Sequence, residues 1–302
     1  MAHITVLPAS TKAGYATIKS LLASPERPTV RGIYRDPTKA PSEFLSDPKF
    51  EAVQGDVGKG TGLDFSSSSA VFYVPPPIYD GTEVGAWALQ TATNVKSALE
   101  KAPNVKKLVL HSAVGAQNET GIGYLKLNHI TDKILENSVP EVLIVKPSWY
   151  YDIWEEAVKT MREEPPYLES IFSPADFEIP MLSVKDIGAY CAKELLSLEA
   201  LEKSPKAVDL FGPRLYSALD VKQALETITG KKAELRIIGK EGLREYWAER
   251  LPEVYVDDFV EFLSAQHPGG ILTREHGYKE GVTVRCETEL VDELRELFGR
   301  GE

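Results

Sequence analysis

A doubly wound α/β fold, with a parallel sheet covered by helices on both faces, is predicted by three features of this 302-residue chain. Short apolar, β-rich runs alternate with helical segments through the first 147 residues, the pattern of a parallel sheet. The length suffices for a large core, in one broad domain or two interleaved ones. The composition, 43% hydrophobic and 26% charged, is that of an ordinary globular protein.

Taken in order, Ile4-Thr-Val-Leu7 reads as a first strand and Gly14 to Leu22 as a helix with apolar residues at helical spacing. Thr29 to Tyr34, Phe50 to Val53 and Ala70 to Val74 read as the next three strands. A long helix from about Glu83 to Leu99 leads into Lys107 to His111, and one around Lys126 to Glu136 leads into Val142 to Val145. After Pro147 the rhythm loosens into the aromatic Trp149-Tyr-Tyr151, a helical stretch from Trp154 to Met161 and a Pro-rich crossing. Helices over Val184 to Leu198 and Leu219 to Thr229 flank a strand at Ala207 to Phe211, and the last third, about 239–298, reads as mostly helical. The expected division is a nucleotide-binding part over 1–147 and a smaller, mostly helical C-terminal substrate region over 148–302. Residues 184–213 of the latter return to the sheet.

Charge and cysteine content narrow the function. A net charge of −11 repels phosphate backbones and anionic lipid, so nucleic-acid and membrane partners are not expected. The longest apolar runs are far shorter than a membrane span. The N-terminus reads as a strand and not as a signal peptide. Two cysteines, Cys191 and Cys286, supply neither a disulfide framework nor a zinc site, so no metal is expected. These features point to a reducing cytoplasm, with a homodimer left open.

The first strand, turn and helix stand where a Rossmann fold binds a dinucleotide pyrophosphate. Pro8, Thr11 and Gly14 occupy the places of three glycines in the extended pattern G-x-x-G-x-x-G. Pro8 lacks an N–H donor, and Thr11 brings a Cβ toward the ligand. The Thr11 hydroxyl, with Ser10 and Lys12, suits a phosphate and serves equally as a helix cap. Beyond the second strand, Arg35 and Lys39 form a local basic spot, which favours a 2′-phosphate and hence NADP(H) over NAD(H).

Several motifs in order resemble the NmrA-like group of atypical short-chain dehydrogenases, fungal members especially. They are the loop ending in Gly14, Val30-Arg-Gly-Ile-Tyr-Arg35, Val53-Gln-Gly-Asp56-Val57, Val71-Phe-Tyr-Val-Pro75, Val109 to Gly115, Lys146-Pro147, Val184-Lys-Asp-Ile-Gly188 and Leu210-Phe-Gly-Pro213. The stretch from Val74 to Asp80 is similar to clavine-type ergot alkaloid dehydrogenases. The resemblance runs to about residue 240. It implies NADP(H) binding with the phosphate loop at Ser10, Thr11 and Gly14, the 2′-phosphate at Arg35, the adenine side at Asp56 and Val57, and Val74 and Pro75 beside the cofactor. The family's usual catalytic Lys falls on Asn128, two positions from Lys126, and Ile153 stands where the family often has Asn.

Around the expected active site, Ser112 closes the fifth strand and suits polarisation of an acceptor. Tyr124 is followed four residues later by Asn128, which can hold ribose hydroxyls but carries no charge to lower the tyrosine pKa. Lys126 and His129 are neighbours on a helix and, with Tyr124, are the expected proton donors. Trp149, Tyr150 and Tyr151 suit an apolar substrate, whereas Tyr246, Trp247, Tyr255 and Phe259 read as core. The leading expectation is an NADP(H)-dependent oxidoreductase reducing a small, largely apolar carbonyl, imine or enone, as in secondary metabolism. A non-redox isomerase, cyclase or dehydratase using His129 and Lys126, and a non-catalytic NADP-sensing regulator, stand beside it.

Overall fold

A computed structural model describes residues 2–299. Eight strands form the main sheet: β1 (His3–Leu7), β2 (Thr29–Tyr34), β3 (Phe50–Gln54), β4 (Ala70–Tyr73), β5 (Lys107–His111), β6 (Glu141–Pro147), β7 (Lys206–Phe211) and β8 (Thr283–Arg285). Every pairing is parallel and the order is β8-β7-β6-β5-β4-β1-β2-β3.

Alternation along these strands builds two cores. Ile4, Val6, Phe72, Val109 and Val145 face one side and pack under helices α1 (Lys12–Ala23) and, later in the chain, Val184–Leu196. Leu7, Val71, Tyr73, Leu108, Leu110 and Ile144 face the other, under α2 (Val84–Glu100) and α3 (Lys126–Leu135). We label the 184–196 helix α4. Strands buried on both faces read as continuous apolar runs, which is why they stood out in the sequence.

A third core gathers Tyr151, Trp154, Phe172, Tyr216 and Leu294 from the segments after β6, including α5 (Ala218–Thr229) and the terminal helix. The long helix α6 (Glu253–Gln266) instead reaches back over α2 and α3 through Tyr255 and Phe259. No helix among the described residues is long and apolar enough to cross a membrane.

The last third departs from the helical expectation at Thr283–Arg285, which adds the eighth strand beside β7. The Pro-rich crossing holds two more short strands, Tyr167–Ser170 and Ile179–Leu182, each in a small separate sheet. Segments of two to four residues carry too few alternations to show a period.

Helices α1 and α4 meet closely at Gly188, where an added Cβ would stand 2.6 Å from Ala16 Cβ, against helix backbone that cannot give way. Gly188→Ala is therefore expected to destabilise the fold by about 1–3 kcal/mol, read as a lower thermal midpoint. A midpoint equal to that of the unaltered chain would contradict this packing.

Candidate active site

The strand order reverses beside β1, which pairs with β2 on one side and β4 on the other. Connections leaving β1 and β4 diverge and open a crevice at their carboxyl ends, the place where ligands bind in such sheets. A cavity of about 560 Å³ lies there, with Thr11, Lys12, Trp149, Phe262 and His276 among its lining residues.

The α1 end of the crevice is built by a capped helix start. Thr11 Oγ1 accepts from Gly14 N at 3.0 Å and donates to Pro8 O at 3.0 Å. A Cβ on Gly14 would sit 2.7 Å from both of those oxygens, so the loop closes only around glycine. The Thr11 hydroxyl is thus engaged inside the loop, a correction to the expectation that it meets a phosphate, and Ser10 is exposed to solvent. The donors lie in the backbone instead. Gly14 and Tyr15 N–H are taken by Thr11, but Lys12 and Ala13 N–H have no acceptor among the described residues, and both residues line the cavity. Lys12 Nζ stands beside them, 2.7 Å from Asp152 and 2.6 Å from Glu155. Two free N–H groups at a positive helix end fit a pyrophosphate, while the Lys12 ammonium is already engaged by the two carboxylates.

Along the sheet from α1, Arg35 and Lys39 are exposed, and the Arg35 guanidinium has no partner among the described residues. The Asp36 carboxylate is occupied by Thr38 N and Oγ1. Asp56 Oδ1 accepts from Gly58 N at 2.8 Å and Lys59 N at 3.1 Å, which shapes the turn after β3, and Val57 is buried beneath it. Val74 and Pro75, just past β4, form part of the cavity wall.

At the end of β5, alternation sends two consecutive side chains to opposite faces. His111 turns toward the α1 side, edge-on to Phe72, with Nε2 2.6 Å from Tyr150 Oη. Burial pulls the imidazole down to about 4, so it is neutral near pH 7, and burial raises the Tyr150 phenol. Ser112 turns toward α3, where its hydroxyl donates to Asp132 Oδ2 at 2.6 Å. Asp132 is buried with Oδ1 lacking a partner among the described residues, and burial pushes its carboxyl up to about 7 against the opposing pull of the Ser112 bond and Lys146. Both His111 and Ser112 line the cavity, as does Asn128 from α3.

The expected proton donors do not join them. Lys126 Nζ is held by Glu83 at 3.2 Å and Asp258 at 2.9 Å, tying the start of α2 to α6 and lying outside the cavity lining. The Tyr124 hydroxyl donates to Ile78 O and accepts from Ile78 N, and its ring packs on Phe259 and Tyr79. His129 Nδ1 lies 2.8 Å from Ala116 O. Helical phase explains the correction: Leu127 and Asn128 face the crevice, whereas Lys126 and His129, three apart, share a different face. Lys126, held by two carboxylates, therefore lies outside the cavity in which a proton donor was expected.

The aromatic triplet also divides. Trp149 and Tyr150 line the cavity, and Trp149 stacks on Phe262 at 5.1 Å. Tyr151 points away into the third core, its hydroxyl donating to Thr288 O, a correction to its expected substrate contact. Tyr246, Trp247, Tyr255 and Phe259 line no part of the cavity, in keeping with a packing role.

Residues that sequence reasoning did not assign complete the wall. Ser148 is 8% exposed, and its Oγ has no hydrogen-bond partner among the described residues. Gln266 and His276 pair at 2.8 Å between Oε1 and Nε2. His111 ends β5 and Ser148 follows β6, so strand ends are the one sequence signal at these positions; Gln266 and His276 come from the C-terminal third, which carries no motif.

No protein-family profile matches the chain, and no curated protein matches it. Solved structures do, along their whole length. A triphenylmethane reductase of Citrobacter sp. superposes with a TM-score of 0.77 at 16% identity, over 99% of this chain and 100% of the other. An NADPH-dependent quinone oxidoreductase of Escherichia coli in complex with NADPH gives 0.75 at 19%, over 99% and 100%. A leucoanthocyanidin reductase of Vitis vinifera bound to NADPH gives 0.71 at 12%, over 99% and 100%. This chain has their fold.

Asp132 gives the site a signature in pH. Its folded pKa lies above the ordinary carboxylate value, so folding favours the protonated form. The resulting stability is present in acid and is lost as pH rises from about 4 through about 7. Asp132→Asn, which never ionises, is expected to melt above the unaltered chain at pH 8, by about 1–3 kcal/mol of stability, and close to it near pH 4. Parallel melting curves of the two proteins from pH 4 to 8 would contradict the shift.

Proposed function

We propose that the chain is an NADP(H)-dependent oxidoreductase of the NmrA-like, atypical short-chain type, reducing a small, largely apolar carbonyl, imine or enone. The observation that carries this reading is one cavity whose lining combines the free Lys12 and Ala13 N–H groups with aromatic and apolar side chains such as Trp149, Phe262 and Ile153. Such a cavity takes an anionic dinucleotide and an apolar acceptor side by side at the carboxyl ends of β4, β5 and β6.

In this reading the Lys12 and Ala13 backbone holds the pyrophosphate, Arg35 and Lys39 the 2′-phosphate, and Asp56 and Val57 border the adenine. Val74 and Pro75 flank the crossing, and Asn128 holds ribose hydroxyls. NADPH, when bound, supplies the hydride. Ser112 lies on the cavity wall with its hydroxyl donating to Asp132 behind it. The fold shared with three reductases, two of them solved with NADPH, supports the same reading.

Acid–base chemistry by Lys126 and His129 without redox would place its reacting groups in the cavity. Both lie outside its lining, one bound by two carboxylates and the other beside a carbonyl, which favours the reductase over the isomerase reading.

Calorimetric titration tests the cofactor assignment. Arg35→Ala is expected to weaken NADPH by roughly 10–100-fold, the worth of a charged hydrogen bond, while NADH affinity stays within about twofold. Equal losses for the two nucleotides would sink the 2′-phosphate assignment.

A further inference from the structure

The reductase reading leaves the acceptor's proton without a source, because Lys126, Tyr124 and His129 all lie outside the cavity lining. From the side chains that line the same cavity, we propose that Tyr150 is the catalytic proton donor and that His111, 2.6 Å from its hydroxyl, is the residue that positions it for that task. The inference rests on the reductase reading and assigns that site a further catalytic residue.

The geometry comes from the strand ends. His111 is the last residue of β5, and Tyr150 follows the end of β6 by three positions, so neighbouring parallel strands deliver the two rings to one side of the crevice. The rings meet edge to face with centroids 6.3 Å apart, and Phe72 closes the other side of the imidazole. His111 is only 7% exposed, and its side chain has no ionic partner among the described residues. A buried neutral imidazole carries one ring proton. With that proton on Nε2, His111 donates to the Tyr150 oxygen and leaves the phenolic O–H free to turn into the cavity.

The step balances as follows. The acceptor gains hydride at carbon, and the electron pair of its C=O or C=N bond moves onto the heteroatom. The Tyr150 O–H bond breaks and a new heteroatom–H bond forms. The phenolate left behind accepts the His111 Nε2–H hydrogen bond, and water returns the proton after product leaves. Burial holds the phenol protonated until a stronger base, the developing alkoxide or amide anion, arises beside it. Ser148, two residues before Tyr150 with an unpartnered buried hydroxyl, lines the same cavity and adds a second hydrogen-bonding group there.

A pair of acceptors separates a proton donor from a residue that merely packs. An aromatic aldehyde such as 4-nitrobenzaldehyde needs hydride and a proton. The malachite green cation needs hydride alone, since its product is neutral. Tyr150→Phe is expected to lower kcat on the aldehyde by about 10²-fold or more, the usual weight of a general acid, with KM changed little. On the cation its rate should stay within about twofold of the unaltered enzyme, as should its calorimetric affinity for NADPH. His111→Leu should follow Tyr150→Phe, and His111→Gln, whose amide can still donate to the phenol, should recover much of the lost rate. Independently of activity, nitrogen-15 spectra of the free protein should show the His111 ring neutral at pH 7 with its proton on Nε2.

Equal losses on both acceptors would reduce Tyr150 to a packing residue, and an undiminished aldehyde rate in Tyr150→Phe would move the proton elsewhere. A ring proton found on Nδ1 would remove His111 from its role. A distinct result, an unaltered protein that binds NADPH yet reduces neither acceptor, would overturn the reductase reading and the proton assignment with it.

Discussion

The reversal of strand order beside β1 is the constraint on which the site depends. Once β1 pairs with β2 on one flank and β4 on the other, the connections above them must part and leave a gap. Everything chemically distinctive is then a strand end or a helix start bordering that gap. The α1 start brings free N–H groups, β4 brings Val74 and Pro75, β5 brings His111 and Ser112, and the segment after β6 brings Ser148 to Tyr150.

Pleating divides this border chemically. Because consecutive residues at the end of β5 face opposite ways, one strand supplies two polar pairs to two walls of one cavity. The His111–Tyr150 pair lies toward α1, and the Ser112–Asp132 pair lies toward α3. In each, a group with unusual burial sits behind a hydroxyl that borders the cavity. Two lysines of the neighbourhood lie outside this arrangement. Lys126 is committed to Glu83 and Asp258 between α2 and α6, and Lys146 donates to Gln117.

How much was legible follows from how each feature is encoded. The strands of the main sheet up to β7 are legible as β-rich runs, unbroken and apolar where both faces are buried, as in Leu108–Val109–Leu110, whereas β3 at the edge has no buried residue. β8 did not, being three residues long at the sheet edge. The phosphate loop is legible as topology, but not which of its groups are available: the Thr11 hydroxyl is turned into the loop, and the free donors are backbone N–H groups that every residue type carries. Counting along α3 placed Asn128 in the cavity wall, yet the choice between Lys126 and Asn128 depends on helical phase relative to α6, a contact made across more than a hundred residues of sequence. The Tyr150–His111 pair joins two strand ends 39 residues apart, and no local pattern marks such a pairing.

The central claim is that the start of α1 receives a dinucleotide through the Lys12 and Ala13 amides. Amide-resolved NMR of the nitrogen-15-labelled protein during titration with NADPH tests it most directly. The account expects these two resonances to shift saturably at micromolar nucleotide, together with those of Val74 and Ser112, while amides in the third core stay in place. Saturable binding that leaves Lys12 and Ala13 unmoved, or no shift at all at millimolar NADPH, would contradict it.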